Sequence, residues 1–255
     1  MKSKPANKIQ DLQFFGEFGG VNPSISDSST YTFLSANSMS ETFEGNMEGC
    51  YLYSRNSSPS NLYLEEACAA MEGTEAANVF SSGMGAITSC ILQLCKSGDH
   101  IISSRTVYGG TYAFLKNFTP QLGIETDFVD ITSIDDIKKL IKPSTKIIYC
   151  EVSSNPLLEI ADIESISKIA KKNNLKLVVD NTFTPLSVSP AKNGADIVIH
   201  SLTKFINGTS DTIAGVVCSD KDFIHSLRDV NDGAFMLMGA TMDSLRAASV
   251  LKNMR

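Results

Sequence analysis

The sequence predicts an α/β fold: a mostly parallel sheet with helices on both faces. Three observations predict it. From residue 60 onward, short apolar runs alternate with helical segments of about ten residues. Runs such as Leu177-Val178-Val179 and Ile197-Val198-Ile199 are apolar throughout, as strands covered on both faces are. Residues suited to hold a ligand fall just past the carboxyl ends of such runs, where open α/β sheets place their sites.

The elements follow in order. Residues 1–59 have little periodicity, are rich in Ser, Asn, Gly and Phe, and read as an extended arm with short turns. Ser60 is a cap for a helix over Asn61–Glu72, with Gly73 to end it. Ala76–Ser81 reads as a strand and Gly85–Cys95 as a helix, with Ile87, Ile91, Leu92 and Leu94 apolar. His100–Ser104 is a strand, Thr111–Phe118 a helix, Ile124–Val129 a strand, Ile134–Ile141 a helix and Lys146–Cys150 a strand. Asp162 caps a helix that runs to Lys172. Lys176–Asp180, Ala195–His200 and Thr212–Cys218 complete the strands. Helical pattern resumes at Thr241 and runs to Arg255 without a cap, apolar on one side. The chain thus divides into an arm (1–59), an α/β domain (60–240) and the start of a further domain (241–255).

Composition narrows the function. The 255 residues are 42% hydrophobic and 20% charged, ordinary for a globular protein. A net charge of −6 argues against a nucleic-acid or anionic-membrane partner. No apolar run approaches the roughly 20 residues of a membrane span, and residues 1–15 lack the apolar core of a signal peptide. The cysteines (Cys50, Cys68, Cys90, Cys95, Cys150 and Cys218) form no Cys-x-x-Cys pair, and there are three histidines. Neither a metal site nor a disulfide framework is expected, and a reducing cytoplasm is the simpler setting.

Three motifs carry chemistry. Lys204 lies in His200-Ser201-Leu202-Thr203-Lys204-Phe205, just past an apolar run. Its amine is placed to form an imine with a phosphorylated aldehyde, and the hydroxyls of Ser201 and Thr203 are placed to hold the phosphate. Ser82-Gly83-Met84-Gly85 joins a strand to a helix, where bare glycines and the helix dipole favour an anion. Asp180-Asn181-Thr182 ends another apolar run with a carboxylate that needs a cationic or hydrogen-bonding partner. Each alone also reads as a turn or a cap. Together, in this order on one sheet, they supply what a pyridoxal ring requires: an anchored phosphate, a protonated ring nitrogen and a bond to the aldehyde. Tyr108, in Tyr108-Gly109-Gly110-Thr111-Tyr112, offers an aromatic face for the ring.

These motifs, with Tyr53-Ser54-Arg55 and Ser154-Asn155-Pro156, resemble in order those of the Cys/Met metabolism family of pyridoxal-phosphate enzymes. The resemblance runs from about Phe14 to Arg255. It implies the large domain of a fold type I pyridoxal-phosphate-dependent transferase, with pyridoxal 5'-phosphate as cofactor. It implies Lys204, Asp180 and Tyr108 as the catalytic set. Lys204 would bond the cofactor, Asp180 would pair with its ring nitrogen and Tyr108 would stack on its ring. Asn155 would meet the ring hydroxyl, and Gly83, Met84, Ser201 and Thr203 would hold the phosphate. Tyr53 and Arg55 would be lent to the phosphate of a neighbouring subunit, so a dimer or tetramer with shared active sites is expected. Family chains are longer, and most of their small C-terminal domain, with its carboxylate-clamping arginine, is expected to be missing here. Two departures stand out. Asn56-Ser57-Ser58-Pro59-Ser60 replaces the usual Asn-Pro-Thr, and Gly110 stands where some methionine γ-lyases have cysteine.

The activity implied is γ-elimination, a C–S lyase reaction on methionine or a related sulfur amino acid. The alternatives are γ-replacement, as in cystathionine γ-synthase or O-acetylhomoserine sulfhydrylase, or a catalytically impaired fragment of such an enzyme. A dinucleotide-binding dehydrogenase fits poorly, because Gly83 and Gly85 are followed by Thr88 where Gly-x-Gly-x-x-Gly needs a glycine.

Overall fold

The arm carries helices that its sequence does not announce. In the computed structural model, which describes residues 4–33, 35–43 and 49–254, α1 spans Pro5–Asp11 and α2 spans Ala36–Phe43. Each has one buried residue, Ile9 and Thr42, so neither shows the apolar period that marks a helix. Phe14, just past α1, packs on Tyr63 with ring centroids 4.9 Å apart. Met1 and Arg255, the ends of the expected arm and of the expected last helix, lie outside the described residues.

Helix α3 (Pro59–Glu72) begins two residues before the expected helix. Pro59 fits the first helical position, so Ser58 and not Ser60 is the cap, and its side chain accepts from the Asn61 N–H. Gly73 closes α3 in the left-handed region. Then come β1 (Ala76–Phe80), α4 (Gly83–Leu94), β2 (His100–Ser104), α5 (Gly109–Ala113), β3 (Glu125–Val129), α6 (Ile134–Leu140) and β4 (Thr145–Glu151). The expected single helix to Phe118 is instead α5, followed by a π turn over Phe114–Phe118 and a 3-10 turn over Thr119–Leu122. After α7 (Ile163–Lys172), capped by Asp162 as its sequence predicts, lie β5 (Lys176–Asp180), β6 (Ile197–His200) and β7 (Gly215–Ser219). The chain continues through α8 (Lys221–Arg228), α9 (Ala234–Met238) and α10 (Ser244–Met254).

The strands form one sheet in the order β1-β7-β6-β5-β4-β2-β3. Strand β7 is antiparallel to both β1 and β6, and the other pairings are parallel. It begins at Gly215, three residues later than expected, because Asp211 accepts from the side chains of Asn207 and Thr209 and keeps that segment in a loop. Side chains alternate between two covered faces. Ile147, Tyr149, Val178 and Ile199 join α4 in one core, while Leu177 and Val179 join Ile166 and Ile169 of α7 in another. A third core joins Val198 and Val216 to α3 and α10. The apolar side of the last helix is therefore covered within this chain: Ala247, Val250 and Leu251 are buried with Leu64, Ala67 and Cys68 of α3.

Candidate active site

The carboxyl ends of β4, β5 and β6 meet the start of α4 around one cavity of about 300 Å³. Its lining includes Gly83, Met84, Tyr108, Asn155, Asp180, Ser201, Thr203 and Lys204. Eight of the ten residues singled out in the sequence thus come together. Tyr53 and Arg55 do not line it. Tyr53 bridges to Thr30 in the arm, and Arg55 donates from Nη1 to the Met236 carbonyl at 2.6 Å.

Strand register explains the convergence. Asp180 is the last residue of β5 and pairs with Ile199, so the residues after β6 emerge beside it. The Ser201 N–H donates to Thr182 Oγ1 at 2.8 Å, and that hydroxyl donates to Asp180 Oδ1 at 2.6 Å. Asp180 also accepts from the Thr182 N–H, and from the Tyr149 hydroxyl on Oδ2 at a long 3.5 Å. Its carboxyl is raised above the usual aspartate range by burial, which outweighs the Thr182 bonds. Behind it, His200 donates from Nδ1 to the Asn181 carbonyl at 3.1 Å, tying the end of β6 to the end of β5.

At the other side, Ser82 caps α4 by accepting from the Gly85 N–H at 2.9 Å. Gly83 lies so close to Ser201 that a Cβ there would sit 2.8 Å from the serine side chain. The bare Cα is what lets the first turn of a 12-residue helix press against the Ser201 loop. Its N–H groups and the Ser201 hydroxyl then share one corner, the arrangement a phosphate needs. The Thr203 hydroxyl is already engaged: it donates to the Ala214 carbonyl at 3.1 Å and accepts from the Ala214 N–H.

The lining also holds an acid that the sequence motifs do not include. Glu151 ends β4 and sits beside Asp180 in register, almost fully buried. Its carboxyl is pushed up to about 7, by burial first and by the Asp180 charge second. The signal was the same as for Asp180, a carboxylate at the end of an apolar run, but the strand was expected to stop at Cys150.

The residues present fit pyridoxal phosphate. Two buried acids face a cavity whose lining offers Lys204 as its cation, so a cationic ring nitrogen would be a favourable partner for their ionised forms. Asp180 Oδ2 has bonding capacity left for that nitrogen, and the α4 start is shaped for the phosphate. Comparison with known proteins agrees. Residues 8–255 match the family of Cys/Met metabolism PLP-dependent enzymes.

The chain belongs to this family. It is 44% identical over 246 residues to a methionine γ-lyase of Arabidopsis thaliana, covering 94% of this chain and 56% of that one. It is similar to the structure of a cystathionine γ-lyase from Lactobacillus plantarum complexed with L-serine: TM-score 0.88, 28% identity, 99% of this chain and 63% of that one. A structure from Campylobacter jejuni that holds N'-pyridoxyl-lysine-5'-monophosphate superposes with a TM-score of 0.89 at 27% identity, covering 99% of this chain and 70% of that one. The chain therefore spans little more than half the length of the curated relative. Its sheet is the mostly parallel one of these family members. Among the described residues, no helix is long and apolar enough to cross a membrane.

Proposed function

We propose that this protein is a pyridoxal-phosphate-dependent C–S lyase that acts by γ-elimination on methionine or a related sulfur amino acid. The observation that carries the reading is the meeting of Lys204, Asp180 and the capped start of α4 around one cavity. The first relatives, named methionine γ-lyase, favour elimination over replacement.

Bound there, the cofactor supplies an electron sink for carbanions on the substrate. The chain's own residues supply the rest. The Lys204 amine moves protons at Cα and Cβ of the substrate, from a backbone fixed by its Ser201 and Gly208 bonds. Asp180, held by Thr182 and Tyr149, keeps a proton on the ring nitrogen. Tyr108, half exposed, presents its ring to the cavity, and Asn155 orients the ring hydroxyl. Gly83, Met84 and Ser201 hold the phosphate, with Thr203 joining once its hydroxyl turns from Ala214. Tyr53 and Arg55, away from the cavity of their own chain, serve the phosphate of a neighbouring subunit. Residues 1–59 then form the arm that reaches across, 60–240 the cofactor domain and 241–255 the start of the next domain. Cytoplasmic location follows from the expected reducing setting.

The test is product analysis. Protein supplied with the cofactor and methionine should release 2-oxobutanoate, ammonia and methanethiol in equal amounts, consuming one water. Faster reaction of O-acetylhomoserine with a thiol, giving a new thioether, would instead assign γ-replacement.

A further inference from the structure

We propose that Glu151 is a positioning residue: its carboxylate ties together the two loops that carry Tyr108 and Asn155, and so sets where those side chains meet the cofactor. The proposal rests on the reading above of both as cofactor contacts. Glu151 Oε1 accepts from the Tyr108 N–H at 2.6 Å, and Oε2 accepts from the Asn155 N–H at 3.2 Å. The two amides come from different connections, one between β2 and α5 and the other between β4 and α7. One side chain at the end of β4 thus fixes both, with bonds that become charge-assisted as the carboxyl ionises.

The side chains it serves cannot position themselves. Asn155 is exposed and Tyr108 is 50% exposed with its ring over Gly110, so packing alone does not aim them. Their direction comes from their backbones. Tyr108 is also the N-cap of α5, so its N–H has no partner within that helix.

The same two loops are tied again on the solvent side. Glu159 accepts from Arg105 Nη2 at 2.9 Å and from the Thr106 hydroxyl at 2.7 Å. The inner tie, unlike the outer one, is held at a cost. Glu151 is buried next to Asp180 of β5, with Tyr149 of its own strand donating to Asp180 and Lys204 across the cavity. Those surroundings raise its carboxyl, and a neutral side chain would close the strand end without that penalty. A carboxylate kept in such a place is accounted for by the two amides it holds.

The test uses Glu151→Gln, which keeps the volume but loses one acceptor, and Glu151→Ala, which loses both. Amide exchange is read by mass spectrometry in the cofactor-free protein, and pyridoxal phosphate affinity by absorbance titration. Glu151→Gln should speed exchange in one of the two loop segments and Glu151→Ala in both, with the peptides of β5 and β6 unchanged. Each should weaken cofactor binding about tenfold or more, as loss of a hydrogen bond to a charged group does. Unchanged exchange in both loops, or cofactor affinity within about twofold of the parent, overturns the proposal. Faster exchange spread across the whole sheet overturns it too, because Glu151 would then serve only the fold. A parent protein that binds no cofactor sinks the functional reading and the cofactor half of this proposal, while the exchange data still decide whether the tie exists.

Discussion

Two acids at neighbouring strand ends divide the work by their partners. Asp180 is surrounded by O–H and N–H donors and has capacity left for one more. Asp180→Asn removes the charge proposed to keep a ring nitrogen protonated and should cost roughly 3 kcal/mol in the transition state, about a hundredfold in kcat. Steady-state rates with the cofactor saturating check this, and a rate within about threefold of the parent would reduce Asp180 to a turn-former. Glu151 has a consequence for stability as well. Its folded pKa, about 7, lies above the ordinary 4.5, so the native state binds a proton more tightly than the unfolded one. The contribution is favourable at low pH, is lost progressively as pH rises from about 4.5 to 7, and stays lost above that. Glu151→Gln should therefore raise stability at pH 8, by at most ~3 kcal/mol, and by much less near pH 5. Urea unfolding at the two pH values reads the difference, and a variant less stable at pH 8 would contradict it. Gly110 belongs to the same scale. A Cβ there would sit 2.6 Å from the Tyr108 ring, so Gly110→Ala must turn that ring and should weaken cofactor binding.

At the scale of elements, the helix start and the last helix make separate predictions. Ser82→Ala removes the α4 cap and should cost ~1 kcal/mol of stability, measured by urea unfolding, while loosening the N–H groups proposed for the phosphate. Leu251→Ala opens a hole between α10 and α3 and should cost ~3 kcal/mol without altering the site. What the sequence made legible was what is local. Asp180 and Gly83 each sit at the boundary of a regular element and Lys204 in the turn just past β6, so an apolar run and the residues after it were enough. Glu151 carried the same signal and was lost by a one-residue error in a strand end. Helix α8 was missed because its cap, Asp220, and its face of Phe223, Ile224 and Leu227 cover only two turns. The direction of β7 has no local signal at all, since a strand's pattern is the same read either way. The sequence places the Thr203 hydroxyl to hold a phosphate, and only tertiary structure shows Ala214 beside it.

For the whole molecule, the cavity forms within one chain, but Tyr53 and Arg55 stay out of it. If the arm serves a neighbour, lesions in the arm and in the cavity complement each other. Arg55→Ala and Lys204→Ala proteins, each impaired, should regain activity when mixed and allowed to exchange subunits. One site of each mixed dimer would then carry both intact residues, so about a quarter of the parent activity is expected at random assortment. No recovery, with subunit exchange verified by mass, would reject a role for Arg55 in a neighbour's site.

Everything proposed for the site depends on Lys204 bonding pyridoxal phosphate in the cavity where β5, β6 and α4 meet. Borohydride reduction of the cofactor-loaded protein, followed by peptide mapping, tests it most directly. A pyridoxyl group on Lys204, lost in Lys204→Ala, is expected. A pyridoxyl group on Lys176 or Lys192 instead would contradict it.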